Sequence, residues 1–323
     1  MAELDIEKPL GKTLAKLGEN YPSLVVVDAD LQRATETSIF QAKFPDRYFN
    51  VGVAEANMVG ISIGLALSGK TVFCGTFACF ASQRVCDQVA LMAHVNANVK
   101  LIGVEPALSS GNNGATHQGM VDLAIMRAMP NMTVCDPGDA TETIAVMEYM
   151  LEHPGPAYIR VPRGKAPVII DPESYKFQAG KAKRVREGRD VVIIACGIML
   201  PRAITAADQL AKEGISARVV SMASIKPIDE NEIVSAACDV GCIVTAENHS
   251  ILGGLGSAVA EIVTQRCPVP ILRVGVADSF GEIGPVEWLA EKYGISSSHI
   301  VAAAKNVLEM KRKGLPSTLR ASR

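Results

Sequence analysis

One stretch of the sequence, Tyr48 to Val89, concentrates the residue types that could do chemistry. It reads YFNVGVAEANMVGISIGLALSGKTVFCGTFACFASQRVCDQV. Glu55 stands where a short apolar run, Phe49 to Val53, gives way to a helical pattern. Ala56, Gly60 and Gly64 then recur at every fourth position, which puts three small residues on one helical face and lets another backbone approach closely. A second apolar strand, Thr71 to Cys74, runs into Gly75-Thr76, and Phe77 and Phe80 follow, sharing a face if a helix starts there. A buried acid, a close contact between backbones and an aromatic shelf suit a flat, nitrogen-rich ring bound at a subunit interface. Taken singly, each feature also has a plainer use. Glu55 could serve the dipole at a helix N-terminus, and Phe77 and Phe80 could be core aromatics.

Other reactive residue types are scattered. The eight cysteines do not fall at metal-ligand spacings, and His249 completes no ligand set with Cys238 and Cys242. Reduced, buried thiols in a cytoplasmic protein are expected. Gly253-Gly254-Leu255-Gly256 opens a helical pattern. Glycines there could admit a phosphate to the helix N-terminus, but the dinucleotide fingerprint spacing is missing, and close packing of helix on sheet is the simpler expectation.

The elements that must position these residues alternate. Apolar strands are predicted at 24–27, 49–53, 71–74, 100–104, 132–135 and 157–161, with helical patterns at 10–17, 88–94 and 139–151 between them. Residues 166–187 are rich in proline and charge and read as a linker with a short strand docked on one domain. A second alternation follows: strands at 191–195, 217–220, 242–246 and 271–274, with a helix at 200–212. Such alternation predicts parallel sheets covered on both faces. The expected fold is therefore α/β with two doubly wound domains, at 1–165 and 188–312, and a basic, solvated tail at 313–323, its positive charge starting just before it at Lys311 and Arg312. Hydrophobic residues make up 48% of the 323 positions and charged residues 20%, which fits a globular protein with a substantial core. A net charge of −2 gives no reason to expect nucleic acid or an anionic membrane as partner. No apolar run approaches the roughly 18 residues of a membrane span, and MAELDIEKPLGK lacks the apolar core of a signal peptide.

GVAEANMVGISIGLA followed by GTFACF resembles the pyrimidine-binding domain of transketolase-type thiamine diphosphate enzymes. THQGMVDLAIMRAMPNMTV at 116–134, YIRVPRG at 158–164 and ENHSILGGLGSAVAE at 247–261 continue the resemblance in the family's order. By that resemblance Glu55 hydrogen-bonds the aminopyrimidine N1′ of thiamine diphosphate. Apolar surroundings favour a neutral carboxyl, so such a group could share a proton at neutral pH. Phe77 and Phe80 would pack on the ring, and Gln83 takes the place of a further ring-contacting aromatic. His117 would reach the donor sugar, although a loop histidine held by backbone groups is the alternative. Asn113 stands where an aspartate is common. Arg160, assisted by Arg163, would hold a substrate phosphate. Glu7 and Ala34 replace expected anion contacts.

The family's metal and diphosphate site needs a GDG motif followed by an asparagine, and Gly138-Asp139-Ala140 is no match. The resemblance thus implies the C-terminal subunit of a split transketolase, a pyrimidine-binding domain followed by a transketolase C-terminal-like domain. It would work with an N-terminal diphosphate-binding subunit that holds most of the Mg²⁺ contacts, as a two-plus-two heterotetramer. The implied reaction moves a two-carbon ketol unit from a ketose to an aldose through a thiamine diphosphate enamine, on sugar or sugar-phosphate substrates. A deoxyxylulose phosphate synthase-like or 2-oxoacid dehydrogenase beta-like subunit, or a non-catalytic structural subunit, are the alternatives. A nicotinamide dehydrogenase lacks its GxGxxG here.

Overall fold

In a computed structural model, residues 5–162 and 164–313 are described. The first domain is built on a seven-stranded sheet. Its spatial order is Ser224–Lys226, Thr133–Cys135, Ala157–Val161, Val99–Val104, Thr71–Phe77, Leu24–Asp28 and Tyr48–Asn50. All neighbours pair in parallel except Ser224–Lys226, which runs antiparallel at the edge. The inner strands are largely apolar without a polar alternation, and Leu24–Asp28 and Val99–Val104 are buried at every position. That is the pattern of strands covered on both faces by crossover helices. On one face Leu10, Leu14 and Leu17 of the helix Pro9–Asn20 join Phe40, Phe73 and Ile159 in one core; on the other, Val25, Val72 and Leu101 meet Met58, Val59 and Ile63 of the helix Glu55–Leu67.

The second domain has a five-stranded sheet ordered Ile271–Val276, Ile243–Ser250, Val191–Ala195, Ala217–Ser221 and Lys183–Arg186, the last strand antiparallel. The predicted linker supplies Lys183–Arg186 to this sheet and, just before it, Lys165–Pro167, which pairs with Asp5–Glu7. The two domains are not separate in space. Ser224–Lys226 belongs in sequence to the second but extends the first domain's sheet, and one apolar core runs from Met58 to Val192, Val220 and Val259.

Several boundaries differ from the sequence expectation. The strand predicted at 49–53 is Tyr48–Asn50, and Thr71–Phe77 carries Phe77 as its last residue instead of placing it in a helix. Backbone pairing to Val99–Val104 as far as Phe77–Val104 overrides the local helical pattern. The Lys311-Arg312-Lys313 run is the end of the helix Ser297–Lys313, favourably placed at its negative pole; the tail beyond, with Arg320 and Arg323, lies outside the described residues, as does Arg163. Of the thiols, Cys238 is exposed instead of buried, with its Sγ 2.6 Å from that of Cys267.

Candidate active site

Glu55 is the first residue of the helix Glu55–Leu67, at the C-terminal edge of the sheet where open parallel sheets place their ligands. Its side chain is 3% exposed. The small face that follows it is open: a Cβ added at Gly60 or Gly64 would meet nothing within 4 Å, and Ala56 is exposed too. Val53 and Leu67 are 74% and 67% exposed at the two ends of this helix. A helix that is apolar on its core side and also on its outer side needs a second partner.

Phe77 and Phe80 meet edge-on with ring centroids 6.0 Å apart, and the His117 ring packs edge-on against both, at 5.4 and 5.2 Å. These spacings are those of favourable aromatic pairs. Gly119 makes the approach possible, because a Cβ there would lie 2.8 Å from the Cys79 backbone nitrogen. His117 ends a short 3₁₀ turn, Ala115–His117, and its Nδ1 lies 3.0 Å from the Thr116 hydroxyl. The Ser110 hydroxyl bridges the carbonyls of Glu105 and His117, tying this loop to the end of the central strand.

Two residues complete the geometry that sequence reasoning missed. Phe80–Arg84 forms a π-helical turn, and Arg84 Nη1 donates to both Glu55 oxygens at 2.9 and 3.0 Å while the guanidinium lies 4.2 Å from the Phe80 ring centroid. Arg84 thereby shows that Glu55 and Phe80 line one cradle. Glu105 follows the central strand with φ +51°, and its Oε2 accepts from Asn113 Nδ2 at 2.6 Å. A non-glycine residue in that conformation is strained and typical of site loops. An acid closing an apolar run before proline, GVEP, was the available signal for Glu105; the π turn that brings Arg84 back over Phe80 leaves no such trace.

The other predicted residues divide. Gln83 is exposed on the same π turn as Phe80, and Asn113 is exposed beside His117, held by Glu105. Asp28, after the first strand, is fully buried and accepts from the hydroxyls of Thr35 and Thr37 at 2.6 and 2.8 Å, which shapes the loop carrying Arg33 and Ala34. Burial holds its carboxyl above the usual range despite these donors. This loop and Phe77 line a cleft of about 480 Å³ that includes Asp30, Gln32 and Arg33. Glu7 lies away on an exposed strand, its carboxylate 3.8 Å from Lys165.

Arg160 is not available to a substrate. It is 0% exposed, with Nε and Nη2 on the two oxygens of Asp122 at 2.8 Å, Nη1 on Asp136 at 3.0 Å and Nη2 also on the Asn248 carbonyl at 3.0 Å. A guanidinium pointing inward from the inner strand Ala157–Val161 finds two acids there, and the fully paired cluster clamps the domains together. Burial alone would raise Asp122, but the Arg160 charge and hydrogen bonds hold it below the usual carboxylate range. The glycine turn at 253–256 is likewise filled from inside. Glu247 accepts from the backbone N–H groups of Leu255 and Gly256 at 2.7 and 2.8 Å, so the helix N-terminus is already capped by a carboxyl group of this chain.

A doubly wound domain with an acid at a helix start beside paired phenylalanines, joined to a second parallel-sheet domain, defines a class. Residues 2–168 match the family profile "Transketolase, pyrimidine binding domain" and residues 180–300 match "Transketolase, C-terminal domain". The chain belongs to the transketolase family, whose general reaction is ketol transfer, and it is a transketolase-like subunit. It is 47% identical over 92% of its length to the 6-deoxy-6-sulfo-D-fructose transketolase subunit of Clostridium sp. (strain MSTE9), covering 92% of that protein. One of the subunits of the apulose-4-phosphate transketolase of Phocaeicola vulgatus is 36% identical over 95% of this chain and 97% of its own length. A solved structure described as a split gene transketolase, inactive beta4 tetramer, superposes with TM-score 0.87 and 42% identity, over 95% of this chain and 99% of that one. The family implies thiamine diphosphate as cofactor. Among the described residues no helix is long and apolar enough to cross a membrane.

Proposed function

We propose that this chain supplies the pyrimidine wall of a two-polypeptide ketol transferase, and that it turns over substrate only with a diphosphate-binding partner. The cradle of Glu55 and Phe80, with Phe77 and His117 packed around it, carries the reading. Its fit to the cofactor has a direct support: it already accepts a planar, N–H-bearing group, the Arg84 guanidinium, which lies over the Phe80 ring and is bonded to Glu55. Thiamine diphosphate, when bound, supplies a nucleophilic carbon at its thiazolium ring. Glu55 holds and shares a proton at the pyrimidine N1′, and Phe77 and Phe80 fix the ring plane and exclude water, with Gln83 on the rim. His117 and Asn113 face the donor sugar, where an imidazole donates a hydrogen bond to a developing alkoxide.

The partner reading rests on the open Ala56, Gly60 and Gly64 face and on relatives that are themselves named as subunits. Mg²⁺ and the diphosphate are assigned to that partner, in a two-plus-two assembly within the cytoplasm. The relatives' named sugars differ at the end remote from the reacting carbon, one carrying a sulfonate and one a phosphate. With Arg160 buried, the cleft beside Phe77 is the proposed place for that end, and exposed Arg33 is its anion contact. The test is reconstitution. The purified chain is mixed with a polypeptide carrying a transketolase diphosphate-binding domain, and Mg²⁺-dependent ketol transfer is followed. Activity is expected only in the mixture. Micromolar cofactor binding with full turnover by this chain alone would overturn the model.

A further inference from the structure

We propose that Arg84 is a built-in placeholder for the cofactor's aminopyrimidine ring, occupying the ring's position in the empty chain and leaving it on loading. The inference rests on the assignment of Glu55 and Phe80 to the pyrimidine. Three observations carry it. The guanidinium lies over the Phe80 face, 4.2 Å from the ring centroid, as a stacked planar group would. The same guanidinium gives both carboxylate oxygens of Glu55 a donor, at 2.9 and 3.0 Å. Arg84 also stays 50% exposed while Glu55 is 3% exposed, so the arginine can swing outward without repacking the core.

The physical reason for such a device is the cost of an empty cradle. A carboxylate nine-tenths buried needs a counter-charge or a donor. The cofactor ring provides one when present, and Arg84 provides one when it is absent. Arginine suits the place because its flat guanidinium can lie over the Phe80 ring while one nitrogen, Nη1, meets both carboxylate oxygens, and a compact ammonium has no such plane to lay on the ring. Phe80 and Arg84 are four residues apart on the π turn Phe80–Arg84, a spacing that keeps their side chains on one face and lets Arg84 lie over the ring of Phe80. Loading is thus an exchange, and the affinity read for the cofactor is reduced by the stability of the Glu55–Arg84 contact.

The experiment uses the full chain without a partner and the free aminopyrimidine alcohol half of thiamine as probe, titrated by ligand-detected NMR. Arg84→Ala is expected to bind the probe about three- to tenfold more tightly than the natural chain, the weight of a half-exposed ion pair. Arg84→Lys should fall between. Arg84→Ala combined with Glu55→Gln should lose the gain, and thermal unfolding confirms that each variant is folded. Unchanged or weaker binding in Arg84→Ala, while Glu55→Gln alone abolishes binding, overturns the placeholder and leaves the pyrimidine site standing. Equal binding by the natural chain and Glu55→Gln removes the pyrimidine site itself, and the placeholder with it. Failure of every variant to bind, Arg84→Ala included, also overturns the proposal, because that variant should open the cradle.

Discussion

At the scale of the residue, Glu55 stands at a helix start, where an acid also serves the backbone dipole, and burial separates the two uses. A dipole-stabilising acid can remain hydrated at the surface, whereas Glu55 is closed from water and bonded to the half-exposed Arg84. Glu55→Gln preserves shape and removes the shareable proton. In the reconstituted enzyme we expect turnover to fall by about two to four orders of magnitude with little change in thermal stability, in line with loss of a positioned acid–base group. Near-normal turnover at saturating cofactor would remove Glu55 from the mechanism. Arg33→Ala gives a second residue-scale outcome: KM should rise for donors with an anionic end and stay constant for a neutral analogue. A uniform change across both donors would count against the cleft assignment. Glu142 shows what a buried carboxyl does when it has no cofactor to meet. It accepts from Gly138 N, Ser221 Oγ and the Tyr175 hydroxyl at 2.8, 2.9 and 3.3 Å, and burial pushes it from 4.5 up to about 7. In that interval the folded chain holds a proton that the unfolded chain has released, so this group's stabilisation is present below the unfolded value and lost as pH rises toward the folded one. Urea midpoints at pH ~5 and ~8 should therefore differ less in Glu142→Gln than in the natural chain; an identical difference in both would show that Glu142 does not titrate there.

At the scale of the element, the His117 loop and the Phe77–Phe80 turn come together only because Gly119 lacks a side chain. The inner strand Ala157–Val161 acts through Arg160, whose paired acids Asp122 and Asp136 lie on the first domain while Asn248 lies on the second. Removing the guanidinium leaves two buried carboxylates uncompensated, so Arg160→Ala should cost about 3–5 kcal/mol, measured by denaturant unfolding. A stable Arg160→Ala chain that had instead lost substrate affinity would restore the phosphate-contact reading. Much of this level was legible. Val191–Ala195 matches the sequence expectation to the residue, because a short β-branched run between Asp190 and Gly197 suits a buried strand and is too short for a helix. The start of the Glu55 helix is also readable in the sequence, whereas Phe77 ends a strand instead of joining Phe80 on a helix, and the packing of His117 on both rings leaves no local mark. What failed were contacts at long range. YIRVPRG says that an arginine lies on a strand, but whether it faces solvent or two distant acids depends on how the crossovers stack. Ser224–Lys226 is a three-residue strand with no period of its own, defined only by the edge it joins.

At the scale of the whole molecule, the open face of the Glu55 helix separates folding from assembly. A Cβ at Gly60 would meet nothing within 4 Å and leucine is the better helix former, so the single Gly60→Leu polypeptide should fold with a melting temperature equal to or slightly above that of the natural chain. In the mixture with a diphosphate-binding partner it should abolish association by sedimentation and with it activity. Normal assembly of Gly60→Leu would place the partner on another face.

The strand Ser224–Lys226 has a further consequence, for how this chain can be divided. Severing the backbone in the segment 171–182 should not release two bodies, since the first sheet would still hold a strand donated from beyond the cut. A nicked chain should elute at the size of the intact one and come apart only in denaturant. Made without that donated strand, a fragment ending near residue 170 would present the bare edge of Thr133–Cys135, a template for pairing with other chains. The boundary between the two family profiles is thus a seam in the sequence and not in the object that folds, and engineering that swaps one module for a relative's must carry Ser224–Lys226 with the first.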